Sequence, residues 1–189
     1  MFLKIIGEDV YAKMVSGIRE NVAKATIGIK ALVRSEKMKL SKNLTLAEVT
    51  KSATAIKHGI SNQPTIEHME NLKAVAENVF QPIRNHFDKP IAVTSGYRSQ
   101  ELNQLIGGAS RSQHSKGEAL DLDADVFGGL ENYQLFHRIK DHTNFDQLIW
   151  EFGDDENPAW VHVSYSRTKN RGEVLQAVKQ NGKTIYKKW

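Results

Sequence analysis

His114, Asp121 and His162 are the residues here whose types could do metal chemistry together. The first two stand in the stretch Ser112-Gln-His-Ser-Lys-Gly-Glu-Ala-Leu-Asp121, and the third in Trp160-Val-His-Val-Ser164. Two imidazoles and a carboxylate make a set that zinc accepts. Three protein ligands leave a fourth tetrahedral position open, which marks a catalytic rather than a structural site. The chain has no cysteine, so disulfides and thiolate ligands are excluded and only His, Asp and Glu remain as a metal-binding repertoire. Taken alone, each says less. Small and polar neighbours put His114 in a loop where an imidazole can face a cleft, whereas His162 alternates with Val161 and Val163 as a solvent-facing strand residue would. Asp121 sits in an apolar strand, where burial of an unpaired carboxylate is costly unless a metal or a basic partner offsets it. Their co-occurrence is what points to one ion.

The elements that must carry these residues can be read in order. Val10 to Leu32 can form a helix with Met14, Ile18, Val22 and Ile29 loosely on one side, weakened by Gly17 and Gly28. A more regular pattern opens at Met38, where Thr45 and Glu48 form a capping box for a helix that runs to Gly59. Thr65 caps a long helix from about Ile66 to His86, its stripe being Leu72, Val75, Ala76, Val79 and Ile83, with a kink expected at Pro82. After Pro90 the period changes to that of strands: Ile91 to Ser95, then Glu118 to Asp123, Gln147 to Phe152 and Trp160 to Tyr165. Period two places Ala119, Asp121 and Asp123 on one strand face. Short helices are expected at Ser99 to Ile106 and Leu130 to Lys140, and a terminal hairpin about Gln180-Asn-Gly182. Helices first and strands after predict an α+β fold in which N-terminal helices cover a small, mainly antiparallel sheet carrying a single zinc site. Residues 1–37 read as an N-terminal extension and 38–189 as the domain that holds the site.

A chain of 189 residues with 40% hydrophobic and 25% charged residues is an ordinary globular composition. No apolar run is long enough for a membrane-spanning helix, and Met1-Phe-Leu-Lys-Ile-Ile-Gly-Glu-Asp9 meets charge too early for a secretory leader. The net charge of +4 and isoelectric point near 9.2 favour an anionic surface. The basic residues are scattered, with a cluster only at Lys183, Lys187 and Lys188, and no nucleic-acid motif accompanies them.

The pattern Ser112-x-His114-x-x-Gly117-x-Ala119-x-Asp121 followed by Trp160-x-His162 resembles the zinc D,D-peptidases. That family includes D-alanyl-D-alanine carboxypeptidases, the dipeptidases of vancomycin resistance and phage endolysins. Ser95-Gly-Tyr-Arg-Ser99 matches it too, and the resemblance runs from Ser41 to Tyr165. The compact D-alanyl-D-alanine carboxypeptidase-like subgroup is the most similar. The resemblance implies one zinc ion on His114, Asp121 and His162, and hydrolysis of a peptide bond in the peptidoglycan stem by activated water. Many members carry a Glu or Asp acid/base three residues before the last histidine, and here Ala159 stands in that place. Glu151 is the nearest substitute, provided the strands around Gly153 to Pro158 form a hairpin. The resemblance gives Arg98 a role against the substrate's carboxylate or its scissile carbonyl, which a guanidinium fork suits. Its plainer reading is a salt bridge to Asp121 or Asp123. Ser112 is expected to donate a hydrogen bond inside the site, Asp123 to orient a histidine, and Tyr97 and Trp160 to shape a wall. A peptidoglycan peptide is the expected partner, without nucleic acid, membrane insertion or a second subunit. The expected setting is synthesis in a phage-infected or bacterial cytoplasm and action on the cell wall. A zinc-containing, non-catalytic wall-binding module is the alternative that Ala159 keeps open.

Overall fold

The computed structural model describes residues 8–189. The Met1 to Gly7 stretch, on which the leader argument mainly rests, lies outside the described residues. Chain contacts divide the protein into two units, Met1–Met38 and Lys39–Trp189. The first holds one helix, α1 (Glu8–Lys37), unbroken at Gly17 and Gly28. Val10, Met14, Ile18 and Val22 follow one another at four-residue spacing on it and are all exposed; the side chain of Ile29 lies outside the description.

The second unit is α+β. A two-stranded ribbon, β1 (Lys39–Ser41) and β2 (Leu44–Thr45), leads into α2 (Leu46–Thr50). The capping box is present: Thr45 Oγ1 accepts from Glu48 N at 3.3 Å and Glu48 Oε2 accepts from Thr45 N at 2.8 Å. The single helix expected up to Gly59 is instead two. Lys51 leaves helical geometry and Ser52 caps a new start, α3 (Ala53–His58), because a serine hydroxyl satisfies the freed amide of Ala55. The long helix is α4 (Ile66–Val75), a π-helical turn (Ala76–Phe80) and α5 (Gln81–Phe87). Pro82 has no N–H, so the ladder cannot continue in regular register; Gln81 N reaches back to Ala76 O, and the widened turn absorbs the break.

The remaining elements are β3 (Ala92–Ser95), α6 (Gln100–Leu105), a 3₁₀ turn (Gln113–Lys116), β4 (Ala119–Asp123), α7 (Asn132–His142), β5 (Gln147–Glu151), β6 (Trp160–Ser164), β7 (Glu173–Gln180) and β8 (Lys183–Lys188). The six strands order as β3-β4-β6-β5-β7-β8. Every pairing is antiparallel except β5 with β7, which run parallel. One sheet face carries Leu120, Leu122, Val161, Val163, Leu148 and Trp150, all buried, with α4 against β4 and α7 against β5 and β6. Phe136 of α7 meets Trp150 edge-on at 5.2 Å. Leu135, Phe136 and Ile139 of α7 are fully buried, each contributing about 1.5–3 kcal/mol of apolar transfer. Covering one face leaves the other to carry the polar residues of the same strands.

Candidate functional site

Strand pairing sets the first two residues side by side. In the β4–β6 register Asp121 faces His162 directly, and both project from the uncovered face. His114 comes from the 3₁₀ turn, which ends on Gly117 at φ +72. A side chain at Gly117 would also run into the His68 carbonyl, so both the backbone angle and the space demand glycine there. His162 Nδ1 lies 2.9 Å from Asp121 Oδ1, His114 Nε2 lies 3.2 Å from the same oxygen, and the two ring nitrogens are 3.2 Å apart. A tetrahedral ion with bonds of about 2.0–2.1 Å separates its ligand atoms by roughly 3.3 Å, so this triangle has the dimensions zinc requires. His114 Nδ1 sits 2.7 Å from the carbonyl of Gly96, an acceptor only, so that nitrogen carries the proton and Nε2 offers its lone pair to the triangle.

Electrostatics favour the same assignment of protons. Burial pushes the His114 imidazole down, keeping it neutral as a metal ligand must be. Burial alone would push Asp121 up. His114 and His162, both within hydrogen-bond reach of it, outweigh that and hold its carboxyl well below the usual range. Arg98 Nη2 is 3.9 Å from Asp121 Oδ2, and its buried Nε has no hydrogen-bond partner among the described residues. The salt bridge anticipated for Arg98 is therefore long and incomplete, and the guanidinium keeps donors free.

Glu151 stands opposite Trp160 in the β5–β6 pairing, on the same sheet face as His162. It is 8% exposed. Burial drives its carboxyl up to about 7; the Asp121 charge adds to this, while His162 and Arg98 oppose it. The strands around Gly153 to Pro158 are adjacent and antiparallel, the condition on which Glu151 was put forward. A cleft of about 1330 Å³ takes its lining from Arg98, Ser112, His114, Asp121, Glu151 and His162 together.

Two expectations fail. Asp123 orients no histidine: its Oδ1 accepts from Asp125 N and Asn132 Nδ2, because β4 ends there and the carboxylate ties down the turn that follows. Tyr97 is buried with its hydroxyl 3.2 Å from His68 Nδ1, in the interior rather than on a wall. His162 is buried, so the plainer solvent-facing reading of its strand alternation does not apply to it. Trp160 does line the cleft, tilted against Phe152 at 5.3 Å.

The sequence profile of Peptidase M15 matches residues 42–164, a segment that contains all of these positions. The chain belongs to the Peptidase M15 family. A curated relative, the zinc D-Ala-D-Ala carboxypeptidase of Streptomyces albus G, is 54% identical over 41 residues. That stretch covers 22% of this chain and 16% of the relative's length.

Some of what surrounds this M15 site was not anticipated from the sequence. The Gly96 carbonyl that sets the His114 tautomer leaves no mark in residue type. Gln113, next to His114, donates to Asp146 Oδ2 at 2.8 Å, and Arg171 closes the other side of that carboxylate through Nη2 at 2.6 Å and Nε at 2.9 Å. Arg171 lies beyond the matched segment, as does Tyr186, which lines the cleft from β8. The alternation of Thr184, Tyr186 and Lys188 was the available sign that Tyr186 shares the site's face.

Proposed function

We propose that this chain is a zinc-dependent D,D-peptidase that hydrolyses a peptide bond in the peptidoglycan stem, as a carboxypeptidase or endopeptidase of endolysin type. The observation that carries this reading is the convergence, on one sheet face and in one cleft, of the His114–Asp121–His162 triangle with Glu151, a carboxyl held near neutrality. Membership of a peptidase family and the name of the relative are in agreement with it.

In this reading His114 Nε2, Asp121 Oδ1 and His162 Nδ1 hold a single zinc ion. When bound, zinc supplies Lewis acidity, polarising the scissile carbonyl and acidifying water. Glu151 takes the proton from the attacking water and returns it to the departing amine, a task for which a carboxyl near pH 7 is matched. Arg98 uses its free donors on the substrate, against either the carbonyl oxygen or a terminal carboxylate. Ser112, on the cleft wall, donates a hydrogen bond to the bound peptide. The catalytic part is 38–189.

The competing reading, a zinc-containing module that binds wall without cutting it, draws on Ala159, which offers no acid at the family's usual place. Digestion of purified peptidoglycan, with mass analysis of the products and with or without chelator, separates the two and identifies the bond. The expected result is chelator-sensitive release of peptide fragments. Glu151→Gln is expected to lower the rate by about 10²–10⁴-fold while the protein keeps its zinc. Wall binding without products would establish the module, and turnover unchanged in Glu151→Gln would remove Glu151 from its role.

A further inference from the structure

The β7–β8 hairpin lies wholly beyond residues 42–164, yet it forms part of the cleft: Leu175, Thr184 and Tyr186 all line it. The strand registers show how. Trp160 pairs with Glu151, Glu151 with Ala177, and Ala177 with Tyr186, so these four side chains form one row across β6, β5, β7 and β8 on the site's face. The backbones of Glu151 and Tyr186 are two strand spacings apart, roughly 9.5 Å. The only side chain of the row between them is the methyl group of Ala177, fully buried and too short to screen one from the other.

Tyr186 is half-exposed in this row. Burial raises its phenol, and the charges of Glu151 and Asp121 raise it further, so the hydroxyl keeps its proton and is a donor at any working pH. A phenol that lines the cleft in one row with Glu151, on an element the family profile does not cover, is placed to meet a ligand.

We propose that Tyr186 is a substrate-binding residue, its phenol donating a hydrogen bond to the part of the peptide that leaves, on the carboxyl side of the scissile bond. The side is set by Glu151: the group that protonates the departing amine must lie beside that half of the substrate, and Tyr186 stands in the same row. The hairpin thus supplies this chain's own recognition of the leaving residue. The inference rests on the peptidase reading above.

The test uses the full-length zinc-loaded protein, Tyr186→Phe, and a stem-peptide fragment ending in D-alanyl-D-alanine. Tyr186→Phe removes only the hydroxyl from a half-exposed position, so zinc content and thermal midpoint should stay at wild-type values. KM should rise about 3- to 10-fold, the span of one lost hydrogen bond. Inhibition by the departing product should weaken by the same factor, with inhibition by the retained product unchanged. A wild-type KM, or weakening toward both products alike, overturns the proposal. Should wild type cleave nothing in this fragment, the carboxypeptidase form of that reading fails on its own, and calorimetric binding of the same peptide decides Tyr186: equal Kd for the two proteins overturns it.

Discussion

Glu151 loses most of its water on the sheet, and the nearby Asp121 charge raises the cost of ionising it, so it titrates at about 7 instead of the usual 4.5. A folded value above the unfolded one means that the protonated form favours the fold. This stabilisation is complete below pH 4.5 and is lost as pH rises through 7. In zinc-free protein the buried carboxylate should cost on the order of 3 kcal/mol at pH 8. Glu151→Gln removes that cost. Urea unfolding of chelated protein should therefore give a higher midpoint for Glu151→Gln than for wild type at pH 8, and matching midpoints near pH 4.5. Equal midpoints at pH 8 would mean the carboxyl is better solvated than its burial indicates. Asp121 works in the opposite sense: its carboxyl is depressed, so its contribution is present above the ordinary carboxylate range and disappears on acidification.

At the scale of elements, the site depends on a loop and a turn that meet backbone to backbone. Arg98 N donates to His114 O at 3.2 Å, Gly96 O receives His114 Nδ1, and Tyr97 N binds Val49 O. Gly96 lies against Val49 so closely that an added Cβ would fall 2.8 Å from Val49 Cα. Gly96→Ala should cost about 1–3 kcal/mol in overpacking. By displacing the carbonyl that orients His114, it should also weaken zinc binding about 10–100-fold; competition with a chromogenic chelator measures the second effect. Stability lost without any change in zinc affinity would separate the two roles. Much at this scale was legible. Period two set Asp121 and His162 on defined faces, the Thr45–Glu48 box marked a helix start, and Asn181–Gly182 marked the hairpin turn. Period two could not tell Asp121 from Asp123, because it assigns a face but not the point at which a strand ends. Nor could it name neighbours: β7 pairs with β5 rather than with β6, its predecessor, and so carries Tyr186 toward the site.

For the molecule as a whole, the contacts that define the second unit begin at Lys39, close to the Met38 start read from the sequence. A chain beginning at Met38 is expected to fold, bind zinc and retain the full-length protein's rate on purified peptidoglycan; a rate more than about tenfold lower would tie residues 1–37 to function. None of the described helices is long and apolar enough to cross a membrane. The sheet is not closed, however. It ends at β8, whose outer backbone groups pair with no strand among the described residues, and Lys183, Lys187 and Lys188 stand exposed along it. An unpaired edge is a template on which a second copy could add a strand. Doing so would bring the ammonium groups of both copies together, and their repulsion would oppose the pairing. Screening is the lever: between about 0.05 and 1 M salt the reach of these charges shrinks to roughly 3 Å. Sedimentation should then show a monomer at low salt and a self-associating fraction at high salt, and replacing the three lysines with glutamine should give that fraction at low salt as well. The same basic strand that borders the cleft would thus also act as the molecule's guard against its own copies.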